Sequence, residues 1–444
     1  MFLICFDFTR HNLLRGIAFF SFIVKPNIVL IVADTLRKDY SQDLDELLDF
    51  GFVKYDNAFT TSPWTLPSHV SMFTGLFPSQ HGVHEYFGIN NMIEDYARQA
   101  RQAMDRFDNL ISLLRDEGYR TIEVTANSFA SPVYGFNFHE TYIIPLPPIF
   151  VLDTETYKFL FLKSRFRSSK LGIAFEMIKA GKIWELVKAG ASYFQYYYVL
   201  KSAHKGCNLI LDTLKKLDLS GQFFLFINEM EAHEPYSLDM MNGKYDYNFL
   251  RSIFLNSAEY SMIEHYKKYY HVHAKRSVNC VLNIVSELYR RLDVNNSLII
   301  VTADHGNYTG ENGRVYHGYY LSDELLKVPL YIKYPKDASQ ELKIKRDYVS
   351  VTLIYYLVKS FVYNDTFQTN DLIVSESYGP QHSLPWIKSY FNLTDSELKK
   401  YYSHKIRLTT QDGYLIYDLD NDRIVERYGD FNIEYVRKLK EIFT

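Results

Sequence analysis

The chain has 444 residues, of which 47% are apolar and 23% charged, so it can bury a sizeable core and is neither a small stapled scaffold nor a disordered solvating segment. Lys and Arg number 49 against 52 Asp and Glu, a net charge of −3, which excludes a whole-chain preference for nucleic acid or membrane; any such preference must be local. The length suits two or three domains, or one large α/β domain with an appendage. Its 38 Tyr, 32 Phe and 3 Trp point to a bulky core. Cys5, Cys207 and Cys280 lack the paired spacings of a zinc ribbon or a disulfide framework, so they leave the redox compartment undecided.

Residues 1–24 are set apart as an N-terminal extension. Leu13 to Val24 is largely apolar and follows Arg10, as in an export signal, but Arg15 interrupts it. It is also shorter than the roughly 20 residues that cross a bilayer. A cytoplasmic location is expected, with export or membrane association as the alternatives.

Asn27 to Ala33 (NIVLIVA) is an unbroken β-branched and aliphatic run, the pattern of a strand buried on both faces of a parallel sheet, and it stops at Asp34. Phe223 to Ile227 runs into Asn228, Glu229 and His233. Ser297 to Ala303 stops at Asp304, His305 and Gly306. Because ligands of open α/β sheets bind at the carboxyl ends of the strands, three distant segments are predicted to converge on one edge. Helix-like stretches lie between them at Leu110 to Glu117, before a strand at Arg120 to Thr125, and at Met262 to Arg291. The alternation reads as α/β, a mostly parallel sheet flanked by helices.

From Tyr157 to Lys205 ten basic residues face only Glu176 and Glu185, with aromatic and aliphatic stretches between them. This reads as a basic helical insertion that either presents a solvated face, covers the site, or contacts a membrane surface. After Pro335, short strands at Leu372 to Glu376 and Lys405 to Tyr417 and a closing helix at Ile433 to Phe443 suggest a smaller α+β subdomain over 336–444, beside a catalytic domain over 25–335.

The segment Ser62 to Gly75 (SPWTLPSHVSMFTG) is predicted to contain a short helix, with Pro67 in its first turn and Gly75 at its stop. Thr65 then sits just before or at the N-terminus, where it could serve only as a cap or could meet an anion held by the backbone N–H groups. Asp34, Asp304 and His305 form a hard, mixed O/N ligand set suited to one divalent ion such as Mn²⁺, Mg²⁺, Ca²⁺ or Zn²⁺, and Thr65 completes it. Coordination would make a threonine hydroxyl nucleophilic at neutral pH.

Lys25 to Asp39 (KPNIVLIVADTLRKD), Thr65 to Gly75 with Pro78 to Gly82 (PSQHG), Asn228 to Tyr236 (NEMEAHEPY), and Thr302 to Gly306 (TADHG) followed by His317 to Pro329 resemble the successive blocks of sulfatases, members of the alkaline phosphatase superfamily. The resemblance implies an alkaline-phosphatase-like fold and a metal-dependent ester hydrolase. Asp34, Asp304 and His305 match its metal ligands and Thr65 its nucleophile. His233 and His317 match groups that hold the transferred anion or protonate the leaving oxygen. Two departures bear on substrate. The signature Cys-x-Pro-Ser-Arg reads Thr65-Leu66-Pro67-Ser68-His69 here, and a threonine cannot become formylglycine; Thr35 stands where many sulfatases carry a second aspartate. A Thr nucleophile resembles the phosphate-handling branches instead, while a sulfuric ester hydrolase, a phospho-group transferase onto a sugar, lipid or polymer, and a non-catalytic binding module remain as alternatives.

His69, Arg37 and Glu229 are expected to contact substrate; capping and solvating the loop after the first strand is expected of Lys38 more than of Arg37 or Asp39. Glu229, His233 and His317 are a candidate second metal site. His81 and His84 are left as supporting groups. His271 and His273, two apart on a helix, point to different faces and are rejected as a metal pair. The expected partner is a small-molecule, glycan or lipid ester, and no nucleic acid; oligomeric state is not readable.

Overall fold

The computed structural model describes residues 25–146, 151–156, 170–194, 204–237, 243–366 and 373–429, with 431, 434–436 and 440–441. The expected N-terminal extension and most of the expected closing helix lie outside these residues. The strands in chain order are β1 (Asn27–Ala33), β2 (Val53–Lys54), β3 (Asn57–Phe59), β4 (Arg120–Thr125), β5 (Glu140–Ile143), β6 (Leu152–Asp153), β7 (Phe223–Glu229) and β8 (Ser297–Thr302). They continue with β9 (Tyr308–Thr309), β10 (Val315–Tyr316), β11 (Lys327–Val328), β12 (Leu330–Lys333), β13 (Tyr348–Ser350), β14 (Ile373–Ser377), β15 (Lys405–Thr410), β16 (Gly413–Asp418) and β17 (Arg423–Gly429).

The main sheet has eight strands in the order β2-β12-β8-β1-β7-β4-β5-β6. β8, β1, β7, β4 and β5 run parallel, and β12 and β6 are antiparallel to their neighbours. β1 is central because all but its first residue are buried; such a run of Val, Ile and Leu is stable only where helices cover both faces. The register pairs Ala33 with Glu229 and Val32 with Thr302. Asp34 and Asp304 therefore leave the same sheet edge. The mostly parallel α/β sheet expected from the alternation is thus the observed one.

The helix Thr65–Thr74 is buried along its whole length, and the helix Tyr260–Arg291 lies against the sheet through residues such as Tyr266, Ala274, Val281 and Leu288. β14 to β17 form a separate antiparallel sheet, the C-terminal subdomain. Residues 348–363 share the main core instead: β13 pairs with β3, and the helix Leu353–Tyr363 buries Leu357 and Val358 in it.

Two helices, Lys170–Lys179 and Ile183–Phe194, occupy the basic insertion, and its flanks fall outside the described residues. Cys207 and Cys280 form a disulfide with Cα atoms 5.9 Å apart, tying the start of the helix Cys207–Lys216 to the long helix. Sequence spacing gave no sign of this pairing. The partners are 73 residues apart, and two helices brought side by side leave no local spacing signature.

Candidate active site

Thr65 is the first residue of its helix, after Trp64 in extended conformation, and Trp64 offers no side-chain cap. The Thr65 hydroxyl is therefore not spent on capping: its Oγ1 lies 3.1 Å from His305 Nε2. Pro67 lacks an N–H and the first-turn amides have no helical partners, so this end carries the positive pole of the helix. At 3% exposure Thr65 sits at the floor of the site.

Asp34, Asp304 and His305 are fully buried, and their ligand atoms come within 4.8 Å of one another. Asp304 Oδ1 accepts from the backbone N–H groups of Thr35 (3.1 Å) and His305 (2.9 Å), and Asp34 Oδ2 accepts from Asn127 Nδ2. His305 Nδ1 lies 2.8 Å from the Gly306 carbonyl, an acceptor, which places the proton on Nδ1 and leaves the Nε2 lone pair for Thr65 or an ion. Thr35 has φ +59°, a left-handed conformation costly for a β-branched residue; the Tyr270 hydroxyl, donating to the Thr35 carbonyl at 2.7 Å, holds it.

Opposite stand His233, Glu234 and His317, a second group whose ligand atoms also lie within 4.8 Å. His317 joins the two groups, its ring centroid 4.4 Å from His305 and 5.2 Å from His233. Tyr316, itself at φ +76°, stacks on His317 at 4.2 Å. Glu234 Oε1 accepts from Tyr266 Oη (2.6 Å) and Asn307 Nδ2 (2.7 Å), which aims Oε2 at the two histidines.

Burial drives the electrostatics. It raises Asp34 to about 6, with Asp304 adding to the effect, and raises Asp304 to about 6, while it lowers His305 to about 4 and His317 well below its ordinary value. Burial also opposes charge on His233, but the Glu234 and Asp34 carboxylates outweigh it and raise this histidine. Four buried atoms facing the cluster have no hydrogen-bond partner: Asp34 Oδ1, Asp304 Oδ2, Glu234 Oε2 and His317 Nδ1. Isolated buried carboxylate oxygens are costly, and two hard oxygens beside an imidazole lone pair fit a divalent cation.

Three expected substrate contacts are arranged differently. Glu229 is turned away: Ser277 Oγ donates to its Oε1, and its Oε2 accepts from Glu231 N at 2.8 Å. Glu234, five residues on, takes the position expected of it in the second metal group. Arg37 is committed to Asp39 (2.7 Å), Glu311 (2.6 Å) and the Asn307 carbonyl (3.0 Å), so it braces the loops behind the metal carboxylates. His69 is fully buried under the cluster, with Nδ1 2.9 Å from the Thr65 carbonyl and Nε2 3.2 Å from Asn228 Nδ2. It fixes the Thr65 turn. Lys38 pairs with Asp56 at 3.4 Å, and the buried His81 bonds Ser71 at 3.0 Å within the helix packing, whereas His84 stacks on Tyr378. His273 is buried against Lys205 while His271 is exposed, as expected of opposite faces. Sequence reasoning missed Glu234, Asn127 and Asn307; the strand-end position of Asn127, two residues after β4, was the one signal for any of them.

The family model of the sulfatases matches residues 26–360. The chain belongs to the sulfatase family. It is a sulfatase-like ester hydrolase of the alkaline phosphatase superfamily, a family whose members are generally metal-dependent. Among solved structures, the phosphonate monoester hydrolase of Agrobacterium radiobacter is similar at TM-score 0.55 and 14% identity, over 94% of this chain and 93% of that one. BT1596, a 2-O GAG sulfatase, is similar at TM-score 0.53 and 14% identity, over 94% and 89%. A third, BT4656, seen in complex with its substrate D-glucosamine-2-N,6-O-disulfate, is similar at TM-score 0.51 and 13% identity, over 94% and 96%. No curated protein matches the sequence.

Proposed function

We propose that this sulfatase-family protein cleaves phosphate esters with Thr65 as nucleophile. The observation that carries the reading is the Thr65 hydroxyl at a helix N-terminus, 3.1 Å from a histidine that is neighbour to two buried carboxylates. A divalent ion held by Asp34, Asp304 and His305, with Thr65, would supply the positive charge that makes the hydroxyl acidic and polarises a substrate oxygen. Thr65 Oγ1 then gives up its proton to solvent and bonds to phosphorus as the ester P–O bond breaks, and the departing alcohol takes the proton of His233, whose charged form Glu234 favours; solvent later restores that proton. His317, kept neutral by burial, suits binding of the transferred group rather than proton donation. Water cleaves the phospho-threonine in a second step and restores the hydroxyl. Phosphate is preferred over sulfate here because threonine stands where sulfatases place the residue converted to formylglycine.

A second reading follows from the partnerless Glu234 Oε2 and His317 Nδ1: His233, Glu234 and His317 hold a second divalent ion, and the leaving alcohol is then stabilised without a proton from His233. Metal content per chain, one or two, separates the readings. The Cys207–Cys280 disulfide supports an oxidising compartment over the cytoplasm. The function is tested by assaying aryl phosphate monoester, aryl phosphate diester and aryl sulfate side by side. Chelated protein is reloaded with Mn²⁺, Mg²⁺, Ca²⁺ or Zn²⁺, and Thr65→Ala serves as control. Preferential sulfate cleavage overturns the substrate, and undiminished activity in Thr65→Ala overturns the nucleophile.

A further inference from the structure

The helices Lys170–Lys179 and Ile183–Phe194 form a hairpin whose turn is closed by Gly181 at φ +71°, with Gly181 N bonded to Ile178 O (3.0 Å) and Lys182 N to Met177 O (2.9 Å). One side is packed: Met177 is 1% exposed. The other exposes apolar side chains. Phe175, Ile178, Ile183, Trp184, Val187 and Phe194 are each about half exposed or more, with Trp184 at 68%. Elsewhere on the described surface the largest such group is Ile424, Val425 and Tyr428 on β17; here six fall within twenty consecutive positions. Trp184, Val187, Ala191 and Phe194 follow one another at spacings of three and four, so they share a single face of their helix. A contiguous exposed apolar face of this kind marks an interaction surface.

Charge identifies what covers it. Within the hairpin Lys170, Lys179, Lys182 and Lys188 stand against Glu176 and Glu185, a surplus of two in a chain whose net charge is −3. Lys179, Lys182 and Lys188 border the apolar face, and Lys179 Nζ lies over the Phe175 ring, 4.8 Å from its centroid. Tryptophan and isoleucine on one face with lysines at its margin match a bilayer interface, with acyl chains below and anionic headgroups at the edge. No helix among the described residues is long and apolar enough to cross a membrane, so the fit is to a surface-lying element.

We propose that this hairpin docks the protein on an anionic phospholipid surface. Docking does not depend on Thr65 or on any metal ligand, so the inference stands apart from the proposed chemistry. The test uses the full chain, with and without Thr65→Ala, sedimented with vesicles of phosphatidylcholine alone or with about one third phosphatidylglycerol. Trp386→Phe leaves Trp184 as the exposed indole, since Trp64 is 1% exposed. Binding to the anionic vesicles about tenfold tighter than to the neutral ones is expected, weakening with salt, with a blue shift of Trp184 emission on binding. Trp184→Asp with Val187→Asp removes the binding while circular dichroism and the thermal midpoint stay unchanged. Three results overturn the proposal: equal or absent binding to both vesicles; a dimer that these two substitutions dissociate, which makes a second copy the occupant; and Trp184 emission already blue-shifted and shielded from acrylamide in the free monomer, which makes another part of the chain the occupant.

Discussion

The two walls of the site are built by different means. Asp34, Asp304 and His305 follow neighbouring parallel strands, so the hydrogen-bond register of β1 with β8 fixes where their Cα atoms stand. His233, Glu234 and His317 come from loops, and their side chains are aimed by Tyr266, Asn307 and Tyr316. The sheet positions one wall through its backbone, and side-chain partners position the other. Substitutions should therefore act on the first wall mainly through its ligands, and on the second through ligands and supports alike.

The largest expected effect is at Thr65, which touches the first wall. Thr65→Ala should lower kcat for a phosphate ester by at least about a thousandfold while metal content stays at the wild-type value. Retained turnover would remove the nucleophile from that wall. Next comes the disulfide behind the second wall. Cys207 N donates to Glu231 Oε1 at 3.1 Å in the segment that leads to His233, so Cys280→Ser removes a cross-link close to that loop. A loss of about 2–4 kcal/mol in urea unfolding is expected, and an unchanged midpoint would show that the cross-link does not form.

A sharper comparison sets Glu234→Gln against Glu229→Gln. The first should cost about 10–100-fold in activity or in affinity for the ion of the second wall. The second should leave both close to wild type, because Glu229 faces Ser277 on the long helix. The reverse order would return Glu229 to the site. The smallest effect is the pH dependence of metal stabilisation. Asp34 and Asp304 are raised by burial to about 6, so between about pH 4 and 6 the folded, metal-free protein holds protons that the unfolded chain has released, and it loses stability as pH rises through that window. A cation replaces those protons. The thermal midpoint gained on adding Mn²⁺ should accordingly be greater near pH 7.5 than near pH 5. A gain independent of pH would place the ion away from these carboxylates.

The legible part of the protein divides along the same line. β1 and β4 have the bounds their residue patterns imply: β1 is a run of aliphatic residues ended by Asp34, and β4 alternates Ile122 and Val124 with polar residues. The helix that opens at Thr65 and stops at Gly75 was equally plain, because Pro67 and Gly75 punctuate it. Glu229 was misread for a local reason: it ends β7, and whether its side chain turns to the site or to the long helix depends on Ser277, 48 residues away. Glu234 escaped notice because nothing in its own segment aims it.

By itself the sequence determined the parallel sheet, the convergence of Asp34, Asp304 and His305 on one edge, and the threonine at a helix start, because strand and helix periodicity act over a few residues. Tertiary structure alone decided which glutamate faces the histidines, the commitment of Arg37 to Asp39 and Glu311, the pairing of Cys207 with Cys280, and the exposure of the apolar face around Trp184. Each of these depends on which distant side chains come together when helices and loops pack, and sequence spacing carries no information about that distance.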